Sequence, residues 1–100
     1  MTAFFYLLLL SMKLSALLAR AKGRDFYDSI FLWQQASPDY DFLRERSGID
    51  SPKALKMALY EKLDTTNLAL KQKDFEHLLI NPSRSAQILH FRQFIDGKLK

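Results

Sequence analysis

Leu10-Ser11-Met12-Lys13-Leu14-Ser15-Ala16-Leu17-Leu18-Ala19-Arg20-Ala21 is the stretch on which the fold turns. Leu10, Leu14, Leu17, Leu18 and Ala21 recur at intervals of three and four, while Lys13 and Arg20 fall elsewhere. That spacing predicts an amphipathic helix with one face committed to a core. Upstream, Ala3 to Leu10 is unbroken apolar sequence. Ser11 and Lys13 end that run far short of the roughly 18 to 20 apolar residues a bilayer crossing takes, so no membrane partner is expected. Ala19-Arg20-Ala21 has the small-residue look of a leader cleavage site. No cation precedes the apolar run, however, and Lys13 and Arg20 follow it, so a secretory reading is set aside.

The composition extends the same preference to the whole chain. Eighteen Leu and nine Ala stand against five Ile, three Thr and no Val, which favours helix over strand. With 100 residues, 48% of them hydrophobic, the chain forms one domain over residues 1–100 with its own core. An all-α bundle of five to six helices is expected. The absence of cysteine excludes disulfides, zinc–thiolate sites and a thiol nucleophile. It also fits a reducing compartment, so a cytoplasmic location is expected. The formal charge of +4 is compatible with a phosphate-bearing partner but modest for a nucleic-acid binder.

Gly23 is a plausible stop or bend, and Arg24 to Gln35 makes a second helix whose Phe26, Tyr27, Ile30, Phe31 and Trp33 cover much of its circumference, marking it as central. Ser37-Pro38-Asp39 breaks the pattern before a short helix from Tyr40 to Arg46, ended by Ser47-Gly48. Asp50-Ser51-Pro52 opens the next helix, carrying Leu55, Ala58, Leu59 and Leu63. Thr65 or Thr66 is placed to cap a helix running toward Ile80 with a restart at Asp74, and Ile88, Phe91 and Ile95 mark the closing one. Lys22-Gly-Arg-Asp-Phe26 and Lys71-Gln-Lys-Asp-Phe75 look alike and read as two helix starts, each with an acidic residue near the positive end of the dipole.

Lys13 to Asp28 is the stretch richest in chemistry: Lys13, Arg20, Lys22 and Arg24 accompany Asp25 and Asp28, which share one side of a helix start. Carboxylates so spaced could orient a hydroxyl or a cation, and the basic residues could take nucleotide phosphates. The plainer alternative has Asp25 capping the helix, Asp28 paired with Arg24, and the lysines solvated. His77 and His90 have no metal-ligand spacing, the serines sit in no Gly-x-Ser-x-Gly elbow, and no phosphate-binding glycine loop is present. No metal site is expected in this chain. The aromatics fall among leucines at helical spacing and read as core, with Tyr27, Trp33 and Tyr40 best placed to reach a pocket.

Ser11-Met-Lys-Leu-Ser-Ala-Leu-Leu-Ala-Arg-Ala-Lys-Gly-Arg-Asp-Phe-Tyr-Asp28 resembles the Lys-Leu-x-Ala-Leu-Leu-x-Arg-x-Lys-x-Arg-Asp-x-Tyr-Asp signature of the AbiEii/AbiGii-type nucleotidyltransferase toxins. Lys73-Asp-Phe-Glu-His-Leu-Leu-Ile-Asn-Pro82 and Phe91-Arg-Gln-Phe94 are similar to that family's closing helices. The resemblance implies a nucleotide-contacting role for Lys13 and for Asp25 or Asp28 as the catalytic positions. Arg20, Lys22 and Arg24 follow as phosphate-binding residues, and an RNA acceptor is implied. The full-length family enzymes use magnesium. Their metal-binding Gly-Ser-x-x-x-Asp-Asp motif has no counterpart here, so the chain is expected to be the C-terminal helical part, from a truncated or separately encoded copy, and inert alone. Whether it counts as an enzyme is therefore left open.

Phe4 to Leu10 would then lack its cover, and the expected partners are a second copy or a chain supplying the N-terminal domain. The alternative is a small helical interaction module that associates through its apolar first helix without nucleotide chemistry. A basic nucleic-acid-binding domain is the weakest reading, because no helix carries a dense basic face.

Overall fold

In the computed structural model, which describes residues 2–99 and so leaves Met1 outside, the periodicity around Leu14 extends into one long helix, α1 (Thr2–Arg20). Five more α-helices follow: α2 (Gly23–Trp33), α3 (Tyr40–Ser47), α4 (Pro52–Asp64), α5 (Leu68–Phe75) and α6 (Phe91–Lys98). Two 3-10 segments, Glu76–Leu78 and Pro82–His90, connect α5 to α6. The described residues contain no strand, and the architecture is the all-α bundle expected. No helix among them is long and apolar enough to cross a membrane.

Local chemistry sets most of the helix ends. The Asp39 carboxylate accepts from the Asp41 and Phe42 N–H groups at the start of α3, and Gly48 closes that helix at φ 73°, a conformation cheap for glycine. The Ser51 hydroxyl accepts from the Ala54 N–H, with Pro52 in the first turn of α4. Neither Thr65 nor Thr66 caps α5; that cap is Asn67, whose side chain accepts from the Leu70 N–H. Both threonine hydroxyls instead donate to the Lys62 carbonyl, at 3.1 and 2.6 Å, tying off the end of α4.

Other expectations need correction. Ala21, at φ 50°, makes the break between α1 and α2, at a cost of about 1 kcal/mol for a residue with a Cβ. Gly23 is not the stop but the first residue of α2. Lys22–Phe26 is a helix start, whereas Lys71–Phe75 is the end of α5, so the two similar pentads occupy opposite helix ends. α5 stops at Phe75 with no restart at Asp74, because Phe75 turns into the core against Tyr27 while Leu78 and Ile80 face solvent.

The core is a single cluster. Leu10, Leu14 and Leu17 of α1 meet Phe26, Ile30 and Trp33 of α2, Leu43 of α3, Leu55 and Leu59 of α4, and Phe91 and Ile95 of α6. Each of these large side chains, once fully buried, contributes roughly 1.5–3 kcal/mol. Phe31, read as core from sequence, is 53% exposed on the outer side of α2, and Tyr27 is half-buried. Two polar ties fix helices whose apolar contacts alone would leave them freer. Ser11, fully buried on α1, donates to the Leu7 carbonyl and accepts the Asp39 N–H at 2.7 Å, joining α1 to the start of α3. Tyr60 of α4 donates to Asp96 of α6, and the Arg92 guanidinium lies 4.5 Å from the Tyr60 ring centre while reaching Asp64 at 2.8 Å.

Candidate functional site

Because only Ala21 and Lys22 separate α1 from α2, the last two turns of one helix lie beside the first turn of the other. Lys13 and Arg20 stand two turns apart on α1, and Asp25 and Asp28 one turn apart on α2. These four side chains, with Arg24, form one network. The Lys13 ammonium is 3.0 Å from Asp28 Oδ2 and 3.7 Å from Asp25 Oδ1. Arg20 grips Asp25 with both arms of a fork, Nε to Oδ2 at 2.9 Å and an Nη to Oδ1 at 3.1 Å. Arg24 Nε shares Asp28 Oδ2 at 3.5 Å.

Burial grades across the cluster and divides the roles of its two carboxylates. The Asp25 side chain is 1% exposed, while that of Arg20 is 54% exposed. Both Asp25 oxygens are taken by the guanidinium, a bidentate geometry that holds the carboxylate fixed. The hydrogen bond and the charge of Asp25 push the Arg20 guanidinium above its already high ordinary pKa, so it is permanently cationic. Asp28 is less buried, at 23% side-chain exposure, and its Oδ2 is the oxygen nearest both Lys13 and Arg24. Three positive groups against two negative ones leave the network with one net positive charge.

Against the expectations, Asp25 does not cap α2. Lys22 occupies the cap position without a side-chain hydrogen bond, and its carbonyl accepts the Asp25 N–H at 3.0 Å. The Lys22 side chain is exposed and joins no ion pair among the described residues. Asp28 does pair with Arg24, but Lys13 approaches it more closely, so Lys13 is held by carboxylates rather than simply solvated.

His77 and His90 are both exposed, and no group of three or more His, Asp or Glu among the described residues is placed to hold a metal ion. Magnesium does not fit here: one carboxylate is saturated by arginine and the other already serves two cations. Trp33 packs edge-on against Phe94 within the core, and Tyr40 is half-buried, which pushes its hydroxyl above the ordinary tyrosine range. Of the three polar aromatics, Tyr27 reaches a cleft, shared with Leu79 and Arg84. Sequence reading missed Ser11 and Gly23 as positioning residues, and Lys62 and Lys71 as neighbours of Arg20, because their partners lie on other helices. No family model matches the chain, and neither a curated protein nor a solved structure matches it.

Proposed function

We propose that the chain is the helical, nucleotide-contacting part of a nucleotidyltransferase-like toxin of the toxin–antitoxin or abortive-infection type, inert until a partner supplies the metal-binding carboxylates that its sequence lacks. The observation that supports this reading is the convergence of Lys13, Asp25 and Asp28 from two helices onto one locus with a net positive charge. In this scheme Asp25 is a positioning residue, fixing Arg20. Lys13 exchanges a carboxylate partner for a triphosphate oxygen, and Asp28, still held by Arg24, steers the ammonium. Arg20, Arg24 and Lys22 supply further positive charge around the phosphates.

Titration with a nucleoside triphosphate tests the reading. Binding is expected to weaken as salt rises, and Lys13→Met is expected to reduce affinity about tenfold or more, the scale of one charge-assisted hydrogen bond. No binding at millimolar nucleotide overturns it.

The alternative, an interaction module, draws on a different observation. Phe4 and Phe5 are 68% and 58% exposed, and Met12 is exposed as well. Phe5, Leu8, Met12, Ser15 and Ala19 recur at three and four along one uncharged stripe of α1, large residues toward one end and small ones toward the other. Two copies paired antiparallel about Met12 would set each Phe5 against the other's Ala19 without juxtaposing like charges. Light scattering at high micromolar concentration is expected to give a dimer mass for the parent and a monomer mass for Phe5→Glu. A monomeric parent eliminates this alternative.

A further inference from the structure

Arg20 also lines a cleft of about 500 Å3, formed where the α1–α2 junction meets the α4–α5 turn. Arg20, Lys62 and Lys71 bring cations to it from three different helices, and Asp74 is the one carboxylate in its lining. Lys62 and Lys71 are half-buried, and neither is ion-paired among the described residues. Cations gathered at one cleft repel one another unless an anion joins them.

The Arg20 guanidinium and the backbones that carry the two lysines are also held in place. Asp25 fixes the Arg20 guanidinium and leaves Nη1 without a partner among the described residues. The backbone of Lys71 is seated directly on α2: a Cβ at Gly23 would stand 2.1 Å from the Lys71 carbonyl oxygen, an approach open only to glycine. Lys62 lies in the last turn of α4, its carbonyl clasped by the hydroxyls of Thr65 and Thr66. Asn67, whose side-chain oxygen is spent on capping α5, has its amide NH2 left to donate at the cleft.

We propose that this cleft binds a phosphate group through Arg20, Lys62 and Lys71, with the Asn67 amide as a neutral donor. The group comes either from a free polyphosphate, such as that of a nucleotide, or from an oligonucleotide backbone. The proposal stands apart from the role of Lys13, which does not line the cleft.

The test is amide chemical-shift mapping and calorimetry on the full chain, with inorganic tripolyphosphate and, separately, a short single-stranded oligonucleotide without terminal phosphate. The expected shifts centre on Thr66, Asn67 and Lys71. Lys62→Gln and Lys71→Gln are each expected to lower affinity at the cleft about tenfold, and Lys53→Gln, which removes an exposed cation outside both the cleft and the Lys13 network, to leave it unchanged. Both cleft variants should melt no lower than the parent, since each removes like-charge repulsion. Preference for tripolyphosphate assigns the site to free nucleotides, and preference for the oligonucleotide assigns it to a backbone. The proposal is overturned if neither probe binds at millimolar concentration, or if the shifts at Thr66 and Asn67 survive the double lysine replacement. It is overturned too if Lys13→Met abolishes binding while Lys71→Gln does not, an outcome that leaves the Lys13 reading standing.

Discussion

Gly23→Ala is expected to destabilise the chain by about 3 kcal/mol, against the gain of up to roughly 1 kcal/mol that alanine ordinarily brings to a helix. The added Cβ would meet Lys71 O at 2.1 Å and Phe75 Cδ1 at 2.7 Å. The ring could swing aside at some cost in packing, but the carbonyl belongs to the α5 backbone, so the helix itself must retreat. For a domain of this size the loss corresponds to a fall in Tm of roughly 12–24 °C, to be read by thermal or urea denaturation followed by circular dichroism. A variant melting within two degrees of the parent would mean that α5 is not seated on α2. The geometry assigned to the phosphate cleft would go with it.

Phe91→Ala carries the largest expected loss, about 4 kcal/mol. Phe91 is fully buried where the 3-10 segment passes into α6, its ring 5.0 Å from that of Phe26 at an interplanar angle of 87°. Removing it leaves a cavity between α2 and α6 that the surrounding Ile88, Ile95 and Phe26 cannot close without leaving their own contacts. Phe91→Leu, which keeps most of the volume, should cost about 1–2 kcal/mol. Urea midpoints of the two variants check the ordering: equal midpoints for the two would show that the volume leucine keeps contributes nothing, and a Phe91→Leu midpoint equal to the parent's would show that the ring's shape and edge-to-face packing contribute nothing. Phe91 takes no part in the charged network at the α1–α2 junction, so nucleotide affinity measured well below the transition should be unchanged in both variants.

What could be read in the sequence was whatever its own neighbourhood decides. Ser51-Pro52 announces α4, and Asp39 with Gly48 brackets α3, because cap and turn chemistry act over three or four residues. Lys13 to Asp28 stood out in the sequence as a charged stretch, but the pairing of Lys13 and Arg20 with Asp25 and Asp28 depends on how α2 folds back on α1, which local spacing does not fix.

Where the outcome rests on a distant helix, pattern alone misleads. Phe31 looks no different from Ile30 in sequence, yet α2 is covered only where it turns toward α1, α5, α6 and the Pro82–His90 segment, and Phe31 points elsewhere. The periodicity from Leu68 to Ile80 is real, but Phe75 finds the core and the chain tightens into a 3-10 turn behind it, leaving Leu78 and Ile80 outside. Thr65, Thr66 and Asn67 are all competent caps, and the two hydroxyls that turn back onto the Lys62 carbonyl leave the task to Asn67. Lys62 and Lys71 carry no spacing signal, since only the packing of the α4–α5 turn against the α1–α2 junction brings them to Arg20.

The buried hydroxyl of Ser11 illustrates how a contact of little energy can exert much control. Leucines tolerate a neighbour that slides by an ångström or rolls by some degrees, whereas a hydrogen bond of 2.7 Å to the Asp39 N–H does not. It acts as a key in a slot, selecting one orientation of α3 from the many that an oily seam would accept.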